Sequence, residues 1–278
     1  MDKFDLKALQ KKILEMAEYF DSFCKKHEIV YYLMGGTALG AIRHGGFIPW
    51  DDDFDVFMDY ENYQKFLKIA SSRINFTNYY LQKECTEEWP LFFSKLRMNG
   101  TTFIEKDVVG RDMHHGIYID VMCLNNAFDN IFLRYCQYLC ARALSAGALN
   151  QKGYITKSLK KRVALTLASC FLSSPLRNNL LRFVRCLNKK DTKLVGHFFG
   201  RAPFKRTSFL RECLGEQRYI PFETTLLPVP ERVENYLSVR YGGDYMKMPS
   251  NIEKSKYPSH AYLVDTNCSY EKYLGKNI

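Results

Sequence analysis

The sequence predicts an α/β (α+β) protein with a mixed-sheet core, an N-terminal helix and a mainly helical C-terminal region. Short β-branched and aromatic runs alternate with segments whose apolar residues recur every three to four positions, a pattern typical of this class. The 278 residues are 46% hydrophobic and 25% charged, which is the composition of a globular protein that buries a sizeable core. General disorder and low-complexity fibres are therefore excluded.

The order of the predicted elements follows from hydrophobic periodicity. It is a helix over residues 6–23, a strand over 29–34, a short helix over 38–44, a strand over 51–58, a helix over about 60–70, strands over 79–83, 91–98 and 117–122, a helix over 129–149, two short helical stretches in the basic segment described below, and a last helix over 230–241.

Helix ends are marked by residues that favour caps. Thr37 and Asp59 are expected to cap the helices that follow them, and Gly45 is expected to terminate the short helix before it.

A boundary near Phe128 divides the chain into a core over residues 1–127, a basic helical insertion over 128–206 and a C-terminal region over 207–278 that packs on the core.

The cellular setting is predicted from apolar runs and cysteines. No run reaches the roughly 18 to 20 apolar residues that span a bilayer, and the first residues lack the apolar stretch of a secretory signal. The nine cysteines are scattered without the paired spacing of a zinc site. We expect a cytoplasmic protein whose cysteines are mostly buried small hydrophobes.

The strongest chemical signal is an acidic motif, residues 49–58, with the sequence Pro-Trp-Asp-Asp-Asp-Phe-Asp-Val-Phe-Met. If these residues form a strand, alternate side chains share a face, so Asp51, Asp53 and Asp55 project together. Carboxylates held this close repel one another unless a cation lies between them. Hard oxygen ligands suit Mg²⁺ or Mn²⁺, so the motif predicts a metal site rather than a solvated acidic turn.

Two further features complete this predicted site. Gly35 and Gly36 form a turn without Cβ atoms before a helix, where backbone N–H groups can approach a phosphate. Asp120 lies in an otherwise apolar strand, where an ionised carboxylate needs a metal or a hydroxyl as partner. Together these features predict metal-assisted phosphoryl transfer.

The segment from Gly35 to Asp55, with its Arg-His-Gly-Gly-Phe-Ile-Pro-Trp-Asp-Asp-Asp-Phe-Asp run, resembles the signature of the LicD family. Residues 229–249 are similar to that family's C-terminal motif. The resemblance implies a nucleotidyltransferase-type fold, with more distant similarity to fukutin-related proteins. It also implies a phosphotransferase of surface-polysaccharide biosynthesis that moves a phospho-substituent from a CDP-linked donor to a hydroxyl of a cell-surface glycan or teichoic acid precursor and releases CMP.

Roles for individual residues follow from the resemblance. Asp51, Asp53, Asp55 and Asp120 would hold the metal, with Asp120 as an alternative general base. The donor phosphates would be bound by Gly35, Gly36, Thr37, Lys95 and Arg97. Arg43 would anchor donor phosphate or pair with an aspartate, and His44 would serve catalysis or only complement the helix dipole.

CDP-choline is the donor that the resemblance favours, with CDP-ribitol, CDP-glycerol and a CMP-phosphonate as alternatives. A second enzyme class stays open, a nucleotidyltransferase, in which the acceptor attacks the α-phosphate of a free nucleotide and pyrophosphate is released.

Aromatic residues make up 15% of the chain, and several tyrosines could cage a quaternary ammonium. The adjacent His114 and His115 are interpreted as loop residues, because neighbours in an extended chain face opposite ways.

The positive charge of the chain is local. Residues 152–206 carry eight Lys and six Arg against one acid, a net charge of +13 in a chain of +10 overall. We weigh three interpretations: a nucleic-acid-binding segment, a solvated face, and a helix lying on anionic lipid at the inner face of the membrane. A solvated face would carry compensating acids, and only Asp191 is present. A basic groove for an anionic acceptor is the alternative to the membrane helix. The membrane interpretation fits the Leu, Phe and Val residues between Leu176 and Leu187, which recur on one helical face. A protein at the inner face of the membrane would also be close to a lipid-linked glycan acceptor.

Overall fold

A computed structural model describes residues 4–151, 166, 174–254 and 259–274. The chain begins with the predicted amphipathic helix, α1 (Leu6–Lys26), and Asp5 caps it by accepting from the backbone N–H groups of residues 7 and 8. Its apolar face, including Leu9, Ile13 and Phe20, is buried against the sheet.

The core is a five-stranded mixed sheet in the order β1-β2-β6-β4-β3. β2 and β6 are parallel, and the other neighbouring pairs are antiparallel. The strands are β1 (Tyr32–Leu33), β2 (Asp55–Met58), β3 (Tyr79–Gln82), β4 (Ser94–Met98) and β6 (Tyr118–Cys123). The predicted mixed α/β core is therefore confirmed.

The second strand is shorter than predicted and begins at Asp55. Before it, the Phe54 carbonyl accepts from the Asp120 N–H at 2.9 Å. The side chain of Gln10 donates to the carbonyls of Ile48 and Asp51, at 3.3 and 3.0 Å. The backbone N–H of Asp55 donates to Thr37 Oγ1 at 2.8 Å. Side chains from α1 and α2 thus take backbone groups that a strand partner would otherwise bind.

The short helix α2 (Gly35–His44) begins two residues before the predicted cap, so the assignment of Thr37 as N-cap is wrong. Thr37 is buried within the first turn and accepts from the next strand instead. Gly45 ends the helix in the left-handed conformation at φ 66°, as predicted. Asp59 caps α3 (Tyr60–Arg73) by accepting from the N–H of Asn62.

Strands outside the main sheet pack the C-terminal half onto the core. β5 (Thr102–Glu105) pairs with β12 (Ala261–Asp265), β10 (Arg218–Phe222) forms a hairpin with β11 (Thr225–Val229), and β7 (Asn125–Ala127), β8 (Leu194–Gly196) and β9 (Ser208–Leu210) form a small antiparallel sheet. The predicted last helix is α6 (Val233–Tyr241), and a single turn, α7 (Asn251–Lys254), follows it.

Two helices of the basic helical insertion, residues 128–206, pack on each other: α4 (Ile131–Gln151) and α5 (Ser174–Arg185). The apolar stripe from Ile131 to Leu139 faces solvent, whereas Ala141, Leu144 and Ala148 are buried. None of the described helices is long and apolar enough to cross a membrane.

Candidate active site

Two carboxylates meet where the two parallel strands of the sheet run side by side. Asp55 on β2 stands opposite Asp120 on β6 in the strand register. Asp53 lies two residues before Asp55, and its charge acts on Asp55 and Asp120. The structure thus brings Asp55 and Asp120 together on neighbouring strands, as the sequence predicts, with Asp53 in the segment that leads into β2.

Burial and mutual repulsion dominate the electrostatics of this cluster. Burial raises the pKa of Asp51 and Asp55 well above the usual range, and the charge of Asp53 adds to the shift in both. Burial also raises the pKa of Asp53 and Asp120, although His260 and Lys95 partly offset the shift. The cluster therefore holds more carboxylate than its neighbouring cations balance.

The glycine turn packs directly against these carboxylates. A Cβ atom at Gly35 would stand 2.9 Å from Asp55 Oδ2, and one at Gly36 would stand 2.9 Å from Asp51 Oδ2. Gly35 also has φ +63°, a conformation that L side chains rarely adopt. Its N–H donates to the Tyr236 hydroxyl at 2.9 Å. Glycine is thus required here by close approach to the acidic motif as well as by backbone conformation.

Lys95 lies inside the site and is paired with acids. Its Nζ is 2.9 Å from Asp120 Oδ1 and 3.4 Å from Glu105 Oε1. The same ammonium lies 3.2 Å from the centroid of the Tyr118 ring. The side chain is 1% exposed, so its charge is held in place beside Asp120.

Arg97, two residues further along β4, is fully buried beneath this pair. Its guanidinium donates to Gln82 Oε1 at 2.9 Å, to the Gly116 carbonyl at 3.0 Å and to Glu105 Oε2 at 3.2 Å. Arg97 is therefore engaged within the protein, and the structure does not place it beside the glycine turn with the other expected phosphate-binding residues.

A clasp between the acidic motif and the C-terminal segment is a feature that sequence reasoning missed. Asp52, which is 3% exposed, accepts from Ser259 Oγ at 2.6 Å, from His260 Nδ1 at 3.0 Å and from the Ala261 N–H at 3.1 Å. Residues 51–53 precede β2, so strand alternation does not separate the three aspartates. The sequence did not indicate that Asp52 would bind the C-terminal segment.

The clasp brings the imidazole of His260 to the acidic motif. Its Nδ1 stands 3.5 Å from Asp53 Oδ2. The hydrogen bond to Asp52 and the charge of Asp53 raise the pKa of His260 to about 9. The bonds from His260 and Ser259 lower the pKa of Asp52 against the effect of its burial. A positive charge therefore lies beside Asp53 at neutral pH.

Arg43 and His44 lie at the C-terminal end of α2, away from the pairing of Asp55 and Asp120. Arg43 donates to His44 Nε2 at 3.0 Å and to the carbonyls of Tyr245 and Lys247, at 3.1 and 3.3 Å. Burial and the charge of Arg43 lower the pKa of His44. Within the described part of the chain, neither residue forms an ion pair with an aspartate.

Two cavities meet at the carboxylates and share Asp53, Asp55 and His260. Cavity A, of about 660 Å³, includes Gly35, Lys95 and Asp120 in its wall. Cavity B, of about 720 Å³, includes Gly36, Arg43 and Asp51. The shared acids thus stand between two spaces, each large enough for part of a substrate.

The donor chemistry of the cluster fits a divalent cation. In their present positions, no three His, Cys, Asp or Glu side chains among the described residues already form a metal site. The carboxylates of Asp51, Asp53 and Asp55 are nevertheless hard oxygen donors whose pKa values rise through burial and mutual charge. A divalent cation bound among them would relieve that repulsion.

The sequence profile described as the LicD/FKTN/FKRP nucleotidyltransferase domain matches residues 28–130, the part of the chain that builds this carboxylate site. The chain carries a LicD-family nucleotidyltransferase domain. It is also 27% identical over 272 residues to the lipopolysaccharide cholinephosphotransferase LicD of Haemophilus influenzae, a match that covers 95% of this chain and 100% of that protein.

Two shorter matches are to uncharacterized proteins. One from Rickettsia typhi is 46% identical over 44 residues, or 16% of this chain and 14% of that protein. One from Rickettsia prowazekii is 49% identical over 37 residues, or 13% of this chain and 14% of that protein. Such short matches add no functional information to the LicD-family domain.

The basic segment is described in part. Residues 152–165 and 167–173, including most of the apolar stretch over 163–172, lie outside the described residues. In α5, Val184 is fully buried, and Leu180 and Leu181 pack against the apolar cluster that includes Ala141 and Leu144 of α4. Arg185 pairs with Glu84 at 2.9 Å. Part of the apolar face that the sequence assigns to lipid therefore packs internally, whereas Leu176 on the same face is 43% exposed.

Proposed function

We propose that this protein transfers phosphocholine from CDP-choline to a hydroxyl of a cell-surface glycan precursor and releases CMP. The observation that carries the proposal is the convergence of Asp53, Asp55 and Asp120 beside the glycine turn. The Haemophilus cholinephosphotransferase, which matches along its whole length, supports the choice of phosphocholine.

The acidic motif would hold a divalent cation, Mg²⁺ or Mn²⁺, through Asp51, Asp53 and Asp55. Such an ion would supply electrostatic stabilisation for the phosphate oxygens during transfer. The glycine turn would let the donor phosphates approach the carboxylates, since no Cβ atom stands in the way.

Asp120 has two possible tasks in this scheme. Its Oδ1 is paired with Lys95, so Oδ2 is the oxygen left to hold the cation or to accept the proton of the acceptor hydroxyl. Lys95 would keep the carboxylate oriented in either case. Mn²⁺ affinity distinguishes the two tasks, because Asp120→Asn would weaken binding only if Asp120 is a ligand.

Positive charge for the donor diphosphate is available in cavity A without Arg97. Four arginines line this cavity: Arg142, Arg201, Arg206 and Arg240. Charge-assisted hydrogen bonds from guanidinium groups suit phosphate oxygens. We therefore assign the nucleotide part of the donor to cavity A.

The protein would reach a lipid-linked acceptor at the inner face of an anionic membrane. The net charge of +13 over residues 152–206 supports this part of the proposal. Because Leu180, Leu181 and Val184 of α5 pack internally, we assign the contact mainly to electrostatic attraction rather than to insertion.

A donor panel tests the proposed reaction. CDP-choline, CDP-ethanolamine, CDP-ribitol, CDP-glycerol and CMP-aminoethylphosphonate are each incubated with Mg²⁺ and a glycan acceptor, and CTP is incubated in parallel. We expect CMP from CDP-choline, no pyrophosphate from CTP, and at least a roughly thousandfold loss of rate in Asp53→Asn. Pyrophosphate release would indicate a nucleotidyltransferase, and full turnover by Asp53→Asn would refute both reactions.

A further inference from the structure

Cavity B contains an aromatic wall next to the acidic motif. Trp50 directly precedes Asp51, and Tyr241 and Tyr245 line the same cavity. The ammonium of Lys254 lies 4.3 Å from the centroid of the Trp50 ring. A cation therefore already stands on this ring, at the edge of the space that the acidic motif shares.

The two cavities differ in charge. Cavity A balances five carboxylates (Asp53, Asp55, Glu105, Asp107 and Asp120) against five Lys and Arg side chains (Lys95, Arg142, Arg201, Arg206 and Arg240). Cavity B has seven carboxylates (Asp51, Asp52, Asp53, Asp55, Asp107, Asp244 and Glu253) against four Lys and Arg side chains (Arg43, Lys106, Arg201 and Lys247). Cavity B is thus the more favourable of the two for a cationic ligand.

We propose that the face of Trp50 in cavity B is a subsite for a quaternary ammonium group, and that the Lys254 ammonium occupies its position in the absence of ligand. This inference rests on the proposed phosphocholine transfer and deepens it by placing the choline group. A trimethylammonium group has no N–H to donate, so an aromatic face and nearby carboxylates are the partners that recognise it.

The covalent structure of phosphocholine fits this placement. Its nitrogen is joined to the phosphate oxygen through two carbons, so a phosphate at Asp53 and Asp55 leaves the cation close to them. Trp50 is next to Asp51 in the chain, and the two residues line the same cavity. A donor with its nucleotide in cavity A would therefore place its choline group in cavity B.

Tryptophan fluorescence gives a direct test, because the chain has two tryptophans and Trp89 is fully buried elsewhere. Tetramethylammonium chloride is titrated against sodium chloride at equal ionic strength. We expect a saturable change in the wild type that Trp50→Leu abolishes. An unchanged signal, or an equal change in Trp50→Leu, would overturn the subsite. This titration needs no nucleotide, so it decides the subsite even if the protein releases no CMP from CDP-choline.

Binding of CDP-choline and of CDP by calorimetry tests the same subsite in the donor. We expect Trp50→Leu to weaken CDP-choline binding about tenfold while CDP binding stays constant. Lys254→Met should strengthen CDP-choline binding severalfold, since it removes the competing ammonium. Equal weakening of both ligands by Trp50→Leu, or unchanged or weaker binding in Lys254→Met, would contradict the proposal.

Discussion

At the scale of single residues, the buried ion pairs of β4 explain why two basic side chains lie within an otherwise apolar sheet. Lys95 is paired with Asp120, and Arg97 is paired with Glu105. Burying such charges costs free energy unless each is paired. Lys95 is therefore interpreted as a positioning residue for Asp120, and Arg97 as a structural support for Glu105.

Replacement of Arg97 tests this division of roles. Arg97→Met removes the guanidinium bonds to Gln82, Gly116 and Glu105 and leaves the buried Glu105 with less positive charge beside it. We therefore expect the free energy of unfolding to fall by about 3–5 kcal/mol in urea titrations. The matched control is Arg218→Met, which breaks an exposed pair with Glu234 and should cost about 1 kcal/mol or less. A stable Arg97→Met protein with a raised KM for the donor would instead assign Arg97 to the diphosphate.

A buried histidine predicts how stability depends on pH. Burial and the charge of Arg240 lower the pKa of His197 to about 4, below the value of about 6.5 expected in the unfolded chain. Below about pH 6.5 the unfolded state therefore binds more protons at this residue than the folded state does. The free energy of unfolding decreases as the pH is lowered from about 6.5 to the folded-state pKa near 4.

At pH 5 this residue alone should destabilise the protein by about 2 kcal/mol relative to pH 8. We expect His197→Phe to lose correspondingly less stability than the wild type between these pH values in urea titrations. Parallel pH profiles for His197→Phe and the wild type would refute this assignment.

At the scale of elements, sequence periodicity located helices and strands better than it located their ends. α1 and β6 were predicted because their burial patterns are local properties of the chain. β2 was predicted too long because Gln10, some forty positions away, binds the backbone before it. β12 was missed because its partner β5 lies far away in the sequence.

In the candidate site, too, local features could be predicted from the sequence and long-range contacts could not. Gly35, Asp53 and Asp55 lie within one continuous motif, so their spacing alone indicated that they act together. The clasp joins Asp52 to residues more than two hundred positions later, and no local pattern encodes such a pairing. The sequence also does not distinguish a charged residue that forms a buried ion pair from one that binds a ligand. Arg97 was assigned to the donor phosphates for this reason.

The clasp predicts how the C-terminal strand is held in place. Asp52→Ala would remove the carboxylate that accepts from Ser259, His260 and Ala261, a loss of about 1–3 kcal/mol for each buried donor left unpaired. The Ala261 N–H would keep Ser259 Oγ, at 3.1 Å, as its acceptor. We expect faster amide hydrogen exchange in β12 and in β5, its partner, while exchange in the middle of α1 stays unchanged. Ser259→Ala removes one of the three bonds and should give a smaller effect. Unchanged exchange in β12 would show that pairing with β5 suffices to hold it.

At the scale of the whole molecule, the positive charge is concentrated in the basic segment, residues 152–206. Residues 152–206 carry +13, and the rest of the chain carries −3. Arg182 on α5 is exposed, and Phe132, at the start of α4, is 78% exposed. A basic surface of this kind attracts anionic lipid within about a Debye length, and salt screens the attraction.

Liposome co-sedimentation tests whether this charge brings the protein to a membrane. We expect binding to vesicles with anionic phospholipid, none to purely zwitterionic vesicles, and release at high salt, because Leu180 and Leu181 pack internally and leave electrostatics as the main attraction. Arg177→Glu with Arg182→Glu should lower binding at least about tenfold, since each basic residue near the surface contributes about 1 kcal/mol. Arg185 is left intact because it pairs with Glu84.

The charge-matched control reverses two exposed lysines of α1, Lys7→Glu with Lys11→Glu, and changes the net charge by the same amount. If only total charge mattered, both double variants would lose binding equally; if the basic segment makes the contact, the α1 variant should bind almost as the wild type does. Equal loss in the two variants, or salt-sensitive binding to DNA with none to vesicles, would contradict a membrane contact through residues 152–206. Retained transfer to a soluble acceptor by Arg177→Glu with Arg182→Glu would show that this contact delivers the protein to its substrate without taking part in the phosphoryl transfer itself.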